Sequence, residues 1–426
     1  MKFIKVIFFL LLLTLTGFAQ SVPEYETLIS KASLYHLQHR PKEGIACYEK
    51  AFKLQSPDAL NAYKAAGMYA LDKNIKKSYV YLNLALDKGW TEADWLTADP
   101  YFKYLKNTDS ISWKAILHRA YDKEREYEKN LKLPELRKRI NLLIIKDQQL
   151  RYLQINNKNS ANVDSIRKAI AQSDNYNRKE AKQIIQKFGW PKMSAIGKDG
   201  ANNLWLIVQH SDEDIIFQKQ VLTLMAALQN TKEVNMENYA YLYDRVQCGL
   251  NYRQLYGTQV VWSTQGTAKG FRPIIYEHTI DQRRKSCGMA TLKSYALTYG
   301  FNYFPISKSE AAKNELIDKE KVRHLMDSAI YYYENQLFQK VYEVYNAAAE
   351  IQGGMSNKDN YKAALQCARV ARITGNKTFT DIALDFLMLL HKRGILSPNA
   401  LLKEKNFNPL HKEKRWLTII HAVSII

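Results

Sequence analysis

The sequence predicts a mainly α-helical protein in which repeated pairs of helices flank a helical central domain with one small β-hairpin. Three patterns predict this fold. Alanines recur at a fixed interval in both flanks, apolar residues of the middle segment follow helix faces, and one stretch there is rich in β-branched and aromatic residues. Of the 426 residues, we expect 1–19 to be a signal peptide, 20–125 the N-terminal repeats with their cap, 131–300 the central domain, and 315–426 the C-terminal repeats with their cap.

The first residues have the pattern of a secretory signal peptide. Lys2 and Lys5 precede an apolar run at 7–15, and the small residues Gly17 and Ala19 stand where a signal peptidase cleaves. The alternative is a membrane anchor, but the apolar run is shorter than the roughly 20 residues that span a bilayer. We therefore expect cleavage after Ala19 and a location in the periplasm or outside the cell.

The N-terminal flank repeats a set of four residues at an interval of 34. The two sets are Ala32, Tyr35, Leu37 and Ala51, then Ala66, Tyr69, Leu71 and Ala85. Two alanine pairs of the C-terminal flank, Ala329 with Ala348 and Ala364 with Ala383, keep the separation of 19 residues found within each set. Small side chains at this separation let two helices pack closely. These positions resemble the tetratricopeptide repeat, which also has a 34-residue period, although the proline that usually follows the second helix is absent.

Both flanks end in the same apolar pattern, in which a glycine is followed by phenylalanine, leucine and tryptophan. The residues are Gly89, Phe102, Leu105 and Trp113 in the first flank and Gly394, Phe407, Leu410 and Trp416 in the second. The last repeat of a stack exposes its apolar face unless something covers it. We interpret both patterns as caps.

The central domain is predicted to contain several helices followed by a hairpin. Apolar residues at helical spacing begin it, and glycine and proline end one of its helices at 189–191. The expected helices lie at 136–151, 167–170, 178–188, 197–210, 217–228 and 239–246, with a last one beginning at 281–285. Residues 255–263 and 271–276 form the two expected strands of the hairpin, around Gly266 and Gly270.

A series of short motifs follows one another through this domain. They are Asp147-Gln148 with Arg151, Gly189-Trp190-Pro191, Trp205-Leu206 with Gln209-His210 and Asp212, Phe217-Gln218, Asp244-Arg245, Tyr256-Gly257-Thr258-Gln259, and Asp281 with Arg283-Arg284. In this order they resemble an uncharacterised bacterial family, a domain of unknown function. The resemblance implies the identity of the domain and a set of positions, but no activity.

The polar residues of these motifs form the candidate site. A histidine with two carboxylates suits general acid–base catalysis, so the catalytic candidates are His210, Asp147 and Asp244. Amide, hydroxyl and guanidinium groups suit a polar or anionic ligand, and these candidates are Gln148, Arg151, Gln209, Arg245, Tyr256, Thr258, Gln259, Arg283 and Arg284. The alternative is a structural network in which the same groups pair with one another or with buried backbone groups.

Neither a metal nor a cofactor is predicted. His210 is the one histidine of the motifs and has no histidine partner at metal-binding spacing. The four cysteines, Cys47, Cys248, Cys287 and Cys367, lie far apart and form neither a metal motif nor a disulfide framework. We expect each of them to be a small buried residue.

Composition and compartment together exclude one class of partner. The formal net charge is +20, but the basic residues are dispersed, and an exported protein does not meet DNA. A diffusely basic surface favours anionic partners, such as an acidic glycan or a membrane surface, over nucleic acid.

Two functional hypotheses follow from these patterns. The first is an exported interaction or scaffold protein, whose helical repeats bind a protein or peptide and whose central domain binds a polar or anionic ligand. The second is a hydrolase-like enzyme that uses His210 with Asp147 or Asp244. The repeats favour the non-enzymatic hypothesis, because such arrays carry no chemistry of their own.

Overall fold

The computed structural model of the protein describes residues 24–157 and 162–423. The predicted signal peptide at 1–19 lies outside the described residues. The fold is mainly α-helical with one two-stranded antiparallel sheet, which confirms the predicted class. None of the described helices is both long and apolar enough to cross a membrane.

The N-terminal flank consists of helices joined by short turns. They are α1 (24–37), α2 (Pro41–Leu54), α3 (Ala59–Leu71), α4 (Ile75–Asp87), α5 (Ala93–Ala98), the 3-10 turn η1 (Pro100–Phe102), α6 (Lys103–Thr108) and α7 (Ser110–Glu128). Side-chain caps define where helices begin: the Asp58 carboxylate accepts a hydrogen bond from the backbone N–H of Asn61, and Asn74 does the same for Lys77.

The central segment contains five long helices, a hairpin and two short helices. They are α8 (Pro134–Asn156), α9 (Val163–Phe188), α10 (Met193–Gln209), α11 (Ile215–Ala226), α12 (Met236–Gly249), β1 (Val260–Trp262), β2 (Ala268–Phe271), the 3-10 turn η2 (Glu277–Thr279), α13 (Ile280–Ser286) and α14 (Leu292–Thr298). Its core is formed by α8 to α12, around side chains such as Ile140, Leu204 and Val221.

The C-terminal flank returns to paired helices. They are α15 (Lys308–Glu334), α16 (Phe338–Glu350), α17 (Asn357–Thr374), α18 (Lys377–Arg393), α19 (Pro398–Lys403), the 3-10 turn η3 (Lys405–Leu410) and α20 (Lys414–Val423). Ser356 caps α17 in a reciprocal capping box with Asp359, and Gly375 ends that helix in the left-handed conformation.

The alanines of the predicted repeat lie at helix contacts. All eight of them are fully buried: Ala32, Ala51, Ala66, Ala85, Ala329, Ala348, Ala364 and Ala383. Small, fully buried side chains thus stand at all eight positions, while the repeat arrays and their likeness to the tetratricopeptide family stay predictions. Leu37, which recurs with these alanines, is 58% exposed and does not belong to the buried set.

The two caps share packing as well as spacing. The rings of Phe102 and Trp113 lie 5.9 Å apart, and those of Phe407 and Trp416 lie at the same distance. All four side chains are buried. The two patterns therefore share buried aromatic packing, while their role as caps of a repeat array stays a prediction.

The prediction of two separate helices at 167–170 and 178–188 is wrong, because α9 is continuous over both. Ser173 and Asn177 interrupt the apolar pattern between them, yet both are buried within this helix. The apolar residues therefore lose their helical spacing in this stretch, although the helix itself continues through it.

The hairpin is shorter than predicted. Val260 of β1 pairs with Phe271 of β2, and a bulge lies between Val261 and Trp262. Residues 255–259 form a loop instead of a strand.

Buried arginines fasten the central segment to both flanks. On the N-terminal side, Arg137 has no exposed side-chain surface and pairs with Glu124, Glu128 and Asp199. On the C-terminal side, Arg393 donates hydrogen bonds from Nε and Nη2 to the carbonyl of Leu250, at 2.9 and 2.8 Å. These contacts fix the three parts of the chain against one another and create the cavities between them.

The four thiols are unpaired. Cys367 is buried as predicted, whereas Cys47, Cys248 and Cys287 are only half-buried, which corrects the expectation for those three.

Candidate functional site

A pocket of about 270 Å³ lies where α11, α12 and the hairpin meet the end of α18. We call it the polar pocket. Its polar lining side chains are Asp212, Gln218, Arg245, Gln259, Arg272 and Lys392. Arg245 and Gln259 were predicted to bind a ligand, so the structure brings two of the sequence candidates to one pocket.

The polar pocket carries more positive than negative charge. Arg245 binds Asp212 through both ends of its guanidinium, with Nε 2.6 Å from Oδ1. Arg272 and Lys392 have no carboxylate partner among the described residues. The pocket therefore presents two uncompensated cations beside one ion pair.

Two glutamine amides complete the lining, and both are held in place. Gln218 is almost fully buried and donates from Nε2 to the carbonyl of Val208 at 3.0 Å. Gln259 donates from Nε2 to the Thr258 hydroxyl oxygen at 3.0 Å. Such fixed amides can orient a ligand without adding charge.

Asp244 organises the loop that carries Gln259. Its carboxylate accepts hydrogen bonds from the backbone N–H groups of Leu255, Tyr256 and Thr258 and from the Thr258 hydroxyl, at 2.7 to 3.1 Å. Burial raises the pKa of Asp244, and these hydrogen bonds oppose that rise. The carboxylate is thus used as a loop anchor.

Arg283 and Arg284 hold the same loop from its other side. Arg283 donates to the carbonyls of Leu255 and Ile275, at 2.9 and 3.0 Å. Arg284 is almost fully buried and donates to the carbonyls of Tyr256 and Ala290, both at 2.7 Å. In these positions the two arginines, and Thr258 and Tyr256 with them, build the loop, which is the structural alternative that the sequence left open.

A second group of candidates, which we call the Asp147 cluster, lies between α8, α9 and the end of α10. It consists of Asp147, Arg151, Asp174 and His210. Arg151 binds both carboxylates, with its Nε 3.1 Å from Asp147 Oδ2. His210 Nδ1 lies 3.2 Å from the same oxygen, close enough for an ion pair when the imidazole is protonated, although the two groups are not aligned as in a hydrogen bond.

Electrostatics in the Asp147 cluster favour an ionised Asp147. Burial alone would raise its pKa, but the neighbouring His210 and Arg151 outweigh burial and hold the pKa of this carboxyl well below its usual range. Burial raises the pKa of Asp174. Gln148 donates from Nε2 to Asp147 Oδ2 at 2.7 Å, which adds a third partner.

The Asp147 cluster also has the composition of a metal site. Donor atoms of Asp147, Asp174 and His210 all lie within 4.8 Å of one another, a grouping that the sequence analysis did not predict. The Arg151 guanidinium already pairs with both carboxylates, so a cation would have to displace it. We interpret the cluster as an ion-pair network.

The predicted catalytic trio is only partly assembled. Asp147 and His210 are adjacent, whereas no contact joins His210 to Asp244 among the described residues. Gln209, next in the chain to His210, is buried with its side-chain oxygen Oε1 unpaired.

Sequence reasoning missed Arg272, Lys392 and Asp174. Lys392 lies in the C-terminal flank, more than a hundred residues from the motifs, and no local signal connects it to them. Arg272 directly follows Phe271 at the end of β2, so its position in the hairpin could have pointed to it. Asp174 lies inside α9, in the stretch where no helix was predicted.

Residues 134–304 match the model of a family of unknown function, DUF6624. The match runs from the start of α8 to beyond α14, and it includes the Asp147 cluster and every lining residue named for the polar pocket except Lys392. No curated protein and no solved structure matches the chain significantly.

Proposed function

We propose that the protein binds a small phosphate-bearing ligand in the polar pocket, between the domain of unknown function and the C-terminal helices. The observation that carries this proposal is the presence of two cations, Arg272 and Lys392, without a carboxylate partner among the described residues. Two uncompensated charges match a dianion.

The donors suit an oxyanion in geometry as well as in charge. A guanidinium offers a planar pair of N–H donors and an ammonium offers a point charge, a combination that proteins use for phosphate. The fixed Gln218 and Gln259 amides add neutral donors or acceptors at the pocket wall. The wider interaction role of the helical flanks and the exported location stay predictions.

Isothermal titration calorimetry with inorganic phosphate and pyrophosphate, at constant ionic strength, tests the proposal. Arg272→Met and Lys392→Met should each weaken binding about three- to tenfold, because each removes one charge-assisted contact in a pocket open to solvent. Lys405→Met removes an exposed lysine from the same flank and should leave the affinity unchanged. Equal affinities for all three variants, or no binding by the unaltered chain, would refute the site.

The hydrolase hypothesis has one favourable observation, the contact between Asp147 and His210. Its other carboxylate, Asp244, is occupied by the backbone of the 255–258 loop. Arg151 also competes with His210 for Asp147. We therefore favour binding over hydrolysis.

A further inference from the structure

A second cavity, of about 250 Å³, lies at the opposite junction, where α3 and α5 face α8 and α10. We call it the aromatic cavity. The side chains that the argument uses are Tyr63, Lys64, Trp90, Glu92, Trp95 and Tyr101. None of them belongs to the polar pocket, and all lie in the N-terminal flank, while residues such as Gln148 and Asn203 of the central segment close the other side.

The aromatic wall of this cavity is rigid. The rings of Tyr63 and Trp90 are stacked 3.9 Å apart at an angle of 10°. The Tyr63 hydroxyl donates to Asp99 Oδ2 at 2.7 Å, and Asp99 Oδ1 accepts from the backbone N–H of Tyr101 at 2.9 Å. A preformed aromatic wall binds a planar apolar group without paying for its own ordering.

Lys64 brings an unpaired ammonium group to this wall. It is half-buried, and it has no hydrogen bond or ion pair within residues 24–157 and 162–423. Burial lowers the pKa of Lys64, and the more distant charges of Asp58 and Glu237 only partly oppose this. Because a buried charge without a partner is costly, the lysine is a strong anchor for an anion.

Trp90 supplies a second donor without an acceptor. The residue is only 8% exposed, and its Nε1–H is buried with no acceptor in the part of the chain that the structure describes. A buried donor that is left unsatisfied destabilises the fold unless a ligand accepts from it. Lys64 and Trp90 are therefore both lining residues of the cavity, and neither the ammonium nor the Nε1–H has an acceptor among the described residues.

The C-terminal flank contains a natural comparison for these residues. Tyr361-Lys362-Ala363-Ala364 repeats Tyr63-Lys64-Ala65-Ala66, and Tyr361 contacts Phe407 as Tyr63 contacts Phe102. However, Lys362 is exposed, and Gly394 is followed by Ile395 where Gly89 is followed by Trp90. The helical repeat therefore does not itself require a buried lysine beside a tryptophan.

We propose that the aromatic cavity binds a small planar monocarboxylate, with Lys64 and Trp90 donating to its carboxylate and the aromatic side chains contacting its apolar body. The volume is slightly below the roughly 300–1,000 Å³ of typical ligand pockets, which restricts the ligand to a small metabolite. One unpaired cation beside the acidic Glu92 and Asp99 favours a monoanion over a phosphate dianion.

Glu92 gives the site a dependence on pH. Its carboxylate accepts from Asn203 at 3.2 Å. Burial, followed by the negative charges of Asp199 and Glu124, raises its pKa to about 7, although the Asn203 hydrogen bond and the positive Arg137 oppose this rise. Burial and the nearby Lys64 lower the pKa of His36, which also lines the cavity, to about 4, so this imidazole is neutral at pH 6 to 8. Ionisation of Glu92 as the pH rises from 6 to 8 adds a negative charge and should weaken carboxylate binding.

Calorimetric titration of the full chain with phenylacetate and its neutral analogue phenylacetamide tests the proposal. The unaltered protein should prefer phenylacetate about tenfold or more, since a charged hydrogen bond contributes roughly 1.5–3 kcal/mol. Lys64→Met should abolish this preference. Lys362→Met, at the equivalent position of the other flank, should keep it, and so should Arg272→Met, because that residue belongs to the polar pocket.

Two further measurements keep the test decisive if Lys64→Met fails to fold, as judged by circular dichroism. Trp90→Phe keeps a ring for stacking but removes the N–H, and it should weaken phenylacetate binding about fivefold. Affinity for phenylacetate should be higher at pH 6 than at pH 8, and Glu92→Gln should flatten that difference. The proposal is overturned if the unaltered chain binds neither compound, if it binds both equally, or if Lys64→Met retains the preference.

Discussion

At the scale of single residues, buried charges define how this molecule is held together. Arg137 of α8 is one of two fully buried arginines among the described residues, and it pairs with Glu124 and Glu128 from α7 and with Asp199 from α10. One guanidinium thus pairs with carboxylates from both sides of the N-terminal junction. The balance between them depends on that single cation.

Replacing Arg137 should therefore strongly lower the free energy of unfolding. Arg137→Met leaves three carboxylates at the junction without their partner, and we expect it to lower the free energy of unfolding by about 3–5 kcal/mol. Arg139→Met, two residues further along the same helix, breaks an exposed pair with Glu180 and should lower the free energy of unfolding by less than about 1 kcal/mol. Urea denaturation followed by circular dichroism measures both; similar losses would contradict this account.

At the scale of elements, a glycine in α10 allows both a kink in that helix and a close approach to α7. Gly197 interrupts the helical backbone with φ near +75°. A Cβ atom there would lie 2.5 Å from the Tyr127 hydroxyl oxygen, which accepts the backbone N–H of Lys198. The conformation and the close approach both require glycine.

Two glycines separate these effects. Gly189 also has positive φ, but nothing lies within 4 Å of the position of its Cβ, so Gly189→Ala tests conformation alone, at about 1–3 kcal/mol. Gly197→Ala adds the collision with Tyr127 and should be clearly the more destabilising of the two. Thermal unfolding of both variants measures the difference, and equal midpoints would mean that the backbone rather than Tyr127 sets the requirement.

The elements were predictable where packing leaves a mark on the sequence. A helix crossing admits only small side chains, so the alanines revealed both flanks. Burial of Phe102 and Phe407 was predictable for a different reason, since both recur at the same distance after a glycine. In contrast, α9 buries Ser173 and Asn177, and a helix whose inner face is partly polar has no apolar period to detect.

At the scale of the whole molecule, packing of the N-terminal flank against the central segment changes the protonation of a carboxylate between them. Glu92 precedes α5, and its carboxylate accepts from Asn203 of α10. Burial first, and then the negative Asp199, raises its pKa from an ordinary value of 4.5 to about 7. The folded protein therefore keeps a proton that the unfolded chain loses at lower pH.

Stability should consequently fall as the pH rises from 5 to 8. Between the unfolded and folded pKa values the native state binds more protons than the unfolded state, so the free energy of unfolding decreases with pH, by about 1–3 kcal/mol for this group. Glu92→Gln should remove most of that decrease, whereas Glu334→Gln, an exposed residue, should not. Denaturation curves at pH 5, 6.5 and 8 measure the effect, and an unchanged slope in Glu92→Gln would assign it to other groups.

The candidate sites were predictable only within one segment of the chain. Arg245 and Gln259 stand in motifs, and both line the polar pocket. Lys392 comes from the other flank, and its role depends on how α18 docks, which no local pattern encodes. Lys64 and Lys362 share a local motif, because both follow tyrosine and precede two alanines, so that motif does not show which lysine lies beside a cavity. Trp90, 26 residues after Lys64, has no counterpart after Gly394.

The end of α18 both lines the polar pocket and binds the central segment. Lys392 lines the pocket. Its neighbour Arg393 donates a hydrogen bond to the carbonyl of Leu250, and Lys219 donates to the carbonyls of Lys392 and Arg393 at the end of α18. A ligand that binds Lys392 would therefore contact a helix end that hydrogen bonds already hold in place. Since α18 packs against α17 and α20, the polar pocket connects the central segment directly to the packed helices of the C-terminal flank.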